Sequence, residues 1–385
     1  QLSMQFLHQM GYTGEGVWIA VLDGGFRNVD SLPSFVPLIN DERLLGTRNF
    51  VNDRSVFRES SAHGMYVLST MAGEWDGNMV GTAPHASYFL ATTENTSRET
   101  RIEEIAWIEA AELVDSLGYD VINTSLGYSD FDGTRYDYTY EDMDGETTFI
   151  SRAAAMTASR GIISSNSAGN SGNDPWLYIT APADATGILA VGAADSTGKI
   201  SGFSSRGPSF DGRIKPEVAA MGVASGLQSL SGGLARGSGT SFASPILAGS
   251  VASLWQAYPE LPALEMIRTV YESGHLSQQP DTLFGYGIPN FARAYWSVTR
   301  VPAHFEPGRL ELYPNPASDR VMLKLPGEVP GIHRLRIFDM SGKLVRSVET
   351  ELPGEVPLPS SLRPGFYILE VRTAGAVYRS RLIKE

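Results

Sequence analysis

Asp23, His63 and Ser241 are the side chains in this sequence best suited to move protons and attack an electrophile. A serine hydroxyl becomes a nucleophile when an imidazole takes its proton, and the imidazole works best when a carboxylate fixes its tautomer. Each of the three sits where a fold could present it. Ser241 lies in Gly239-Thr240-Ser241-Phe242-Ala243-Ser244-Pro245, a glycine turn opening an apolar, small-residue run that reads as a buried helix. Asp23 ends the apolar run Val17-Trp18-Ile19-Ala20-Val21-Leu22 and enters a Gly24-Gly25 turn, and His63 begins the helix-like stretch His63 to Gly73. Taken one at a time, the residues have plainer readings: Thr240 or Ser241 as a helix cap, Asp23 as the start of an Asx turn, His63 as a hydrogen-bonded core histidine.

The elements that must position them alternate. Val17 to Leu22, Ser87 to Thr92, Val121 to Leu126, Ile162 to Asn166 and Ile188 to Val191 read as strands. Arg101 to Ser116, Phe149 to Ser159 and Ser241 to Tyr258 read as helices. Strands separated by helices predict a parallel sheet covered on both faces, with the site at the carboxyl ends of the strands. Asp23 follows a strand and so has that address.

The order Asp, His, Ser, with its flanking strings, resembles the subtilisin-like serine peptidases, the subtilases. Ser125-Leu126-Gly127 resembles the family's substrate-binding edge, and Ser167-Ala168-Gly169-Asn170 the segment carrying its oxyanion asparagine. Ala190-Val191-Gly192-Ala193, Phe203-Ser204-Ser205-Arg206-Gly207-Pro208 and Lys215-Pro216-Glu217-Val218 extend the resemblance, which covers residues 11 to 295. It implies an α/β, subtilisin-like three-layer fold with a mainly parallel central sheet. It also implies a secreted serine endopeptidase acting on extended polypeptides. Asp23, His63 and Ser241 are then catalytic, Asn170 serves the oxyanion hole, and Ser125, Leu126, Gly127, Ser167, Ala168 and Gly169 bind substrate. The small, mostly uncharged pocket lining, with Ala181-Pro182-Ala183 as a further border, leans towards apolar or aromatic side chains before the cut.

Some residues depart from the family's pattern. Gly24 stands where a Thr or Ser is usual, an expected loosening of the hydrogen bonds around the Asp23 carboxylate. Met65 stands where Thr is usual, and Phe242 and Met221 replace Met and Pro. Only the Gly24 and Met65 departures favour the alternative of a catalytically impaired, groove-bearing binding protein or adhesin, and the intact Asp23, His63 and Ser241 set opposes it. The chemistry requires no cofactor. Many subtilases bind structural calcium, and Asp130, Asp132, Asp137, Asp142 and Asp144 gather in one loop, but their spacing matches no EF-hand and leaves the site unknown.

Beyond Pro307 the pattern changes to short alternating runs, such as Val321 to Leu325, Leu335 to Phe338 and Phe366 to Val371, which predict a small β-sandwich. Leu312-Tyr313-Pro314-Asn315-Pro316-Ala317, Ile337 to Val345, Pro364-Gly365-Phe366-Tyr367 and Leu382-Ile383-Lys384 resemble the C-terminal sorting domain of the type IX secretion system, found in Bacteroidota. The expected organisation is a peptidase domain over 1–300, a linker over 301–307 and an immunoglobulin-like sorting sandwich over 308–385. The sorting domain implies the type IX machinery as a partner and a secreted or cell-surface location.

Composition narrows the choices further. The 385 residues carry a net charge of −13, and the tail from Gly308 is itself +3, so the acidic excess lies in the larger part. An acidic body repels nucleic acid and anionic membranes. The absence of cysteine excludes disulfides, a thiol nucleophile and Cys-ligated metals. No apolar run reaches the roughly 18 to 20 residues of a membrane span. A monomer is expected, and a mature form is expected because Gln1 lies close before Asp23 and the first residues carry no leader pattern.

Overall fold

In the computed structural model the described residues are 1–299, 308–325, 331–339, 343–359, 361–372 and 377–385. The expected linker 301–307 lies outside them. The chain divides into two compact units, Gln1–Ser297 and Val298–Glu385.

The larger unit is built on seven parallel strands: β1 (Trp18–Asp23), β2 (Leu44–Asn49), β3 (Ser87–Thr92), β4 (Val121–Thr124), β5 (Ile163–Ser167), β6 (Leu189–Ala194) and β7 (Val218–Met221). Their order is β2-β3-β1-β4-β5-β6-β7. The central strands are buried along nearly their whole length, which is why they read as continuous apolar or small-residue runs rather than alternating ones. Helices α1 (His63–Ala72) and α4 (Thr240–Ala257) cover one face, where Ile19, Val21, Leu90 and Val191 meet Val67, Leu68, Leu247 and Val251 in one core. Helices α2 (Ile102–Leu117) and α3 (Phe149–Ser159) cover the other, where Ala20, Leu22 and Ile122 meet Trp107, Ala110 and Ile150. The three expected layers are therefore present.

Two buried charges that the sequence offers as a family string prove to be structural. Lys215 is fully buried, with Nζ 2.6 Å from Glu217 Oε1 and donating to the Ala185 carbonyl at 2.7 Å. Glu217 in turn accepts the Ala190 N–H at 2.7 Å. A buried pair of this kind is tolerated because its remaining hydrogen-bonding capacity is also met.

The smaller unit is all β among its described residues. A five-stranded sheet runs Gly308–Arg309, Val377–Lys384, Gly365–Arg372, Gly331–Asp339, Leu344–Leu352, and a three-stranded sheet joins Glu311–Tyr313, Arg320–Lys324 and Gly354–Pro357. Leu335, Ile337 and Leu369 of the first share a core with Val321, Leu323 and Val356 of the second, the arrangement of a sandwich. Among the described residues no helix is long and apolar enough to cross a membrane.

Candidate active site

Strand β1 delivers Asp23 to the carboxyl edge of the sheet with no exposure to solvent. Its Oδ1 accepts the Gly24 N–H at 2.7 Å and lies 2.7 Å from His63 Nδ1. His63 is the first residue of α1, and its own N–H donates to Ser61 Oγ at 3.2 Å. The helix start reaches Asp23 because its next residue is glycine: a Cβ on Gly64 would lie 2.7 Å from the Gly25 carbonyl and 2.9 Å from Asp23 Cβ. Burial works to lower the His63 pKa, but the Asp23 charge and its hydrogen bond outweigh it, and the net direction is upward from the usual histidine value.

The departure at Gly24 has the consequence expected of it. Asp23 Oδ2 is buried without a hydrogen-bond partner. A side chain at position 24 would pack closely, with Thr96 Cγ2 3.1 Å and Ser61 Oγ 3.4 Å from a Cβ there. The hydroxyl that the family usually supplies is thus absent, and its place is filled by neighbours that do not bond Asp23.

Helix α4 presents Ser241 in its first turn, one tenth exposed or less. Pro245 lies inside this helix and has no N–H to give the carbonyl four residues back, which is that of Ser241. Ser125 Oγ takes the place of that donor at 2.9 Å. Ser125 Oγ itself accepts Asn123 Nδ2 at 3.1 Å, and Asn123 Oδ1 accepts Ser244 Oγ at 2.9 Å. A proline that would weaken an isolated helix therefore ties the Ser241 turn to the end of β4. The Ser241 hydroxyl donates to the Ser125 carbonyl at 3.2 Å, and not to His63.

Asn170 is oriented by Thr240. Its Oδ1 accepts both the Thr240 N–H at 2.8 Å and the Thr240 hydroxyl at 3.0 Å. A backbone N–H can only donate, so the carbonyl end of the amide faces the helix and the NH2 end is turned away from it. Thr240 Oγ1 also accepts the Gly169 N–H at 3.3 Å, so one side chain sets both residues.

Of the six substrate-binding candidates, two line the cleft beside Asp23 and His63, and Ala168 is fully buried. Ser125 and Leu126 line a cleft of about 470 Å³ with Asp23 and His63. Leu126 accepts Ser167 Oγ at 3.3 Å, and the Ala168 N–H donates to the Val191 carbonyl at 3.1 Å, which extends the β5 edge. Among the described residues the N–H groups of Leu126 and Gly127 find no acceptor, leaving an open edge.

The far side of the same cleft is acidic. Glu94, Glu99 and Glu103 bring carboxylate oxygens within 4.8 Å of one another. Burial raises Glu94 well above the usual carboxyl range; the Tyr128 hydroxyl, which donates to it, opposes this, and Glu103, Glu99 and Asp23 add to the rise. Burial, with Glu103, Asp130 and Asp132, pushes Glu99 up to about 7. Most carboxylates of the 128–148 loop are bonded within it: Asp137 accepts the Phe131 N–H, Asp142 the Thr139 N–H, and Asp144 the N–H groups of Glu146 and Thr147.

A parallel sheet covered by helices on both faces, with this site at the carboxyl ends of its strands, is the architecture of the subtilisin-like class of proteins. The chain belongs to the subtilase family, whose model matches residues 14–287. Residues 311–385 match the secretion system C-terminal sorting domain, which marks the chain for secretion or the cell surface. The protein is 31% identical over 264 residues to the membrane-bound transcription factor site-1 protease of Mus musculus, covering 66% of this chain and 22% of that protein. The chain thus spans about a fifth of the length of the curated relatives matched at this level. It is 28% identical over 286 residues to subtilisin DY of Bacillus licheniformis, covering 74% of this chain and 92% of that one. Its fold is similar to that of the prenylagaramide maturation protease PagA, with a TM-score of 0.58 at 22% identity over 76% of this chain and 97% of that chain.

Proposed function

We propose that the protein is a secreted serine endopeptidase that cleaves extended polypeptides through Asp23, His63 and Ser241. The observation that carries this reading is the 2.7 Å contact between buried Asp23 and His63 Nδ1, which leaves Nε2 as the nitrogen free to act as base. An extended substrate pairs with the open Leu126–Gly127 edge as an added strand. His63 Nε2 takes the Ser241 proton as Oγ attacks the scissile carbonyl, and later returns it to the leaving amine. The hydroxyl must turn from the Ser125 carbonyl towards the imidazole, a realignment common on substrate binding. The Asn170 NH2, held outward by Thr240, and the Ser241 N–H donate to the oxyanion. Asp23 stays ionised and stabilises the imidazolium. No step needs a metal.

The sign of the His63 shift sets the pH dependence. The working base is the neutral imidazole, so kcat/KM falls as pH drops through a pKa above 6.5, and casein cleavage is expected at neutral and alkaline pH with an acid limb above that value. An enzyme fully active at pH 5, or no cleavage at any pH, contradicts the reading. One observation favours the second reading, a groove-bearing binding protein: the Ser241 hydroxyl points to Ser125 rather than to His63. The same assay separates the two.

The tail serves export through the type IX machinery of a Bacteroidota host. Deletion of 308–385 is expected to abolish secretion in such a host while leaving casein cleavage by the purified remainder at the full-chain level. Secretion that survives the deletion removes the sorting role.

A further inference from the structure

Asp23 Oδ2 is not the only buried polar atom at this end of the sheet without a hydrogen-bond partner: Thr92 Oγ1 is another, and both residues are closed to solvent. The two residues are neighbours. Asp23 ends β1, Thr92 ends β3, and the parallel register sets one beside the other. Successive side chains of a strand point to opposite faces. Val21 and Leu90, the partners two places earlier, lie together in the core under α1 and α4, whereas Leu22 and Ala91 lie in the core of the opposite face. Asp23 and Thr92 therefore share the face of α1, on which His63 stands. The Thr93 N–H donates to the Asp23 carbonyl at 3.0 Å, so the ladder holds the pair side by side. Neighbouring strands lie about 4.8 Å apart, a gap that a hydroxyl and a carboxylate can bridge.

The two orphans are complementary. An ionised carboxylate only accepts and a threonine hydroxyl can donate, and leaving either buried and unbonded is unfavourable. On its other side Thr92 is paired with Asn49, which is already committed: its Oδ1 accepts the Val51 and Asn52 N–H groups, and its Nδ2 donates to Glu59 Oε1. We propose that in the working site the Thr92 hydroxyl donates to Asp23 Oδ2, so that Thr92 is a positioning residue supplying from the neighbouring strand the hydroxyl that Gly24 lacks. The proposal rests on the catalytic reading above. The bond forms by rotation of Thr92 about χ1 from one staggered well to another, with the backbone unmoved. Oδ1 is held by the Gly24 N–H and by His63. With Oδ2 held as well, the carboxylate cannot turn about its Cβ–Cγ bond, and the plane it presents to the imidazole is fixed.

The test is Thr92→Val in the full chain, which keeps the shape of the side chain and removes its donor. Hydrolysis of a peptide anilide is expected to show kcat lowered by about tenfold or more, the scale of a hydrogen bond to a charged group, with KM unchanged. Thr92→Ser, which keeps the donor, retains most of kcat. Gly24→Ser placed on Thr92→Val recovers much of the loss, once Thr96 makes the small shift that the new side chain needs, whereas Gly24→Ser alone gains little. A second readout does not depend on hydrolysis: the low-field proton resonance of the His63 to Asp23 hydrogen bond moves in Thr92→Val and returns in the double variant. A resonance that behaves in this way, in a full chain that hydrolyses nothing, overturns the peptidase reading and keeps the bond. If the hydroxyl has no partner in the working site, replacing it by a methyl group relieves a buried polar atom. Thr92→Val then raises Tm and leaves kcat and the resonance where they were, and that result overturns the proposal.

Discussion

Ser241→Ala lowers kcat by about a millionfold, His63→Ala lowers it about as far, and the two together lower it little further. The magnitude is that known for a subtilisin, and the reason is mechanical. Once the nucleophile is gone the base has no proton to take, so the second loss removes nothing more. The substitutions are not expected to unfold the protein, because the Ser241 hydroxyl makes one 3.2 Å bond and the helix start is held by the Thr240 to Asn170 and Ser125 to Ser241 contacts, which both survive. What activity remains over the uncatalysed rate, about a thousandfold or more, rests on oxyanion stabilisation and binding. Asn170→Ala placed on top of Ser241→Ala is expected to reduce that remainder, whereas His63→Ala is not. Hydrolysis of a peptide anilide by the single and double variants checks both statements. Additive losses for Ser241 and His63 would mean that the two do not work as one unit.

Asp23→Asn comes next in size, at about ten-thousandfold in kcat. Asp23 Oδ1 already accepts two N–H groups, from Gly24 and from His63 at 2.7 Å each, and its other oxygen has no partner. An asparagine there carries no charge to stabilise the imidazolium and presents an NH2 that favours the wrong tautomer. The pH profile gives a second, independent reading. Because the Asp23 charge and hydrogen bond hold the His63 pKa up against burial, their removal moves the acid limb of the residual activity to lower pH. A rate loss with an unmoved limb would mean that Asp23 acts on something other than the imidazole.

The unpartnered Asp23 Oδ2 is a difference from the usual family arrangement that the sequence announced through Gly24. The string Asp-Gly-Gly said that a hydroxyl was missing, but only the structure shows Thr96 and Ser61 packed against Gly24, so that a side chain there would need a small shift of Thr96. The same holds for Pro245, whose position in the helix was plain from the sequence, while the serine that compensates for it comes from 120 residues earlier in the chain at Ser125.

Strands were legible where burial on both faces left an unbroken apolar run, as in Ser87–Thr92, where expected and observed limits coincide. Leu44–Asn49 escaped because it is an edge strand with alternating exposure and a register shift against β3, so it carries polar residues and a glycine. Val218–Met221 escaped because four residues are too few to show a period. In the acidic loop, three of the five aspartates, Asp137, Asp142 and Asp144, accept N–H groups of their own turns, which their spacing did not announce. Glu94, Glu99 and Glu103, which do converge, are spread over ten residues of strand end, loop and helix and left no pattern to find.

Reaction of the purified chain with a fluorophosphonate at neutral pH, followed by mass analysis of its peptides, tests most directly whether Ser241 is an activated nucleophile. One adduct on the peptide containing Ser241, absent from Ser241→Ala and accompanied by casein cleavage, is the predicted result. Folded protein that gives no adduct, or an adduct on another serine, contradicts the assignment of Asp23, His63 and Ser241 as a working catalytic unit.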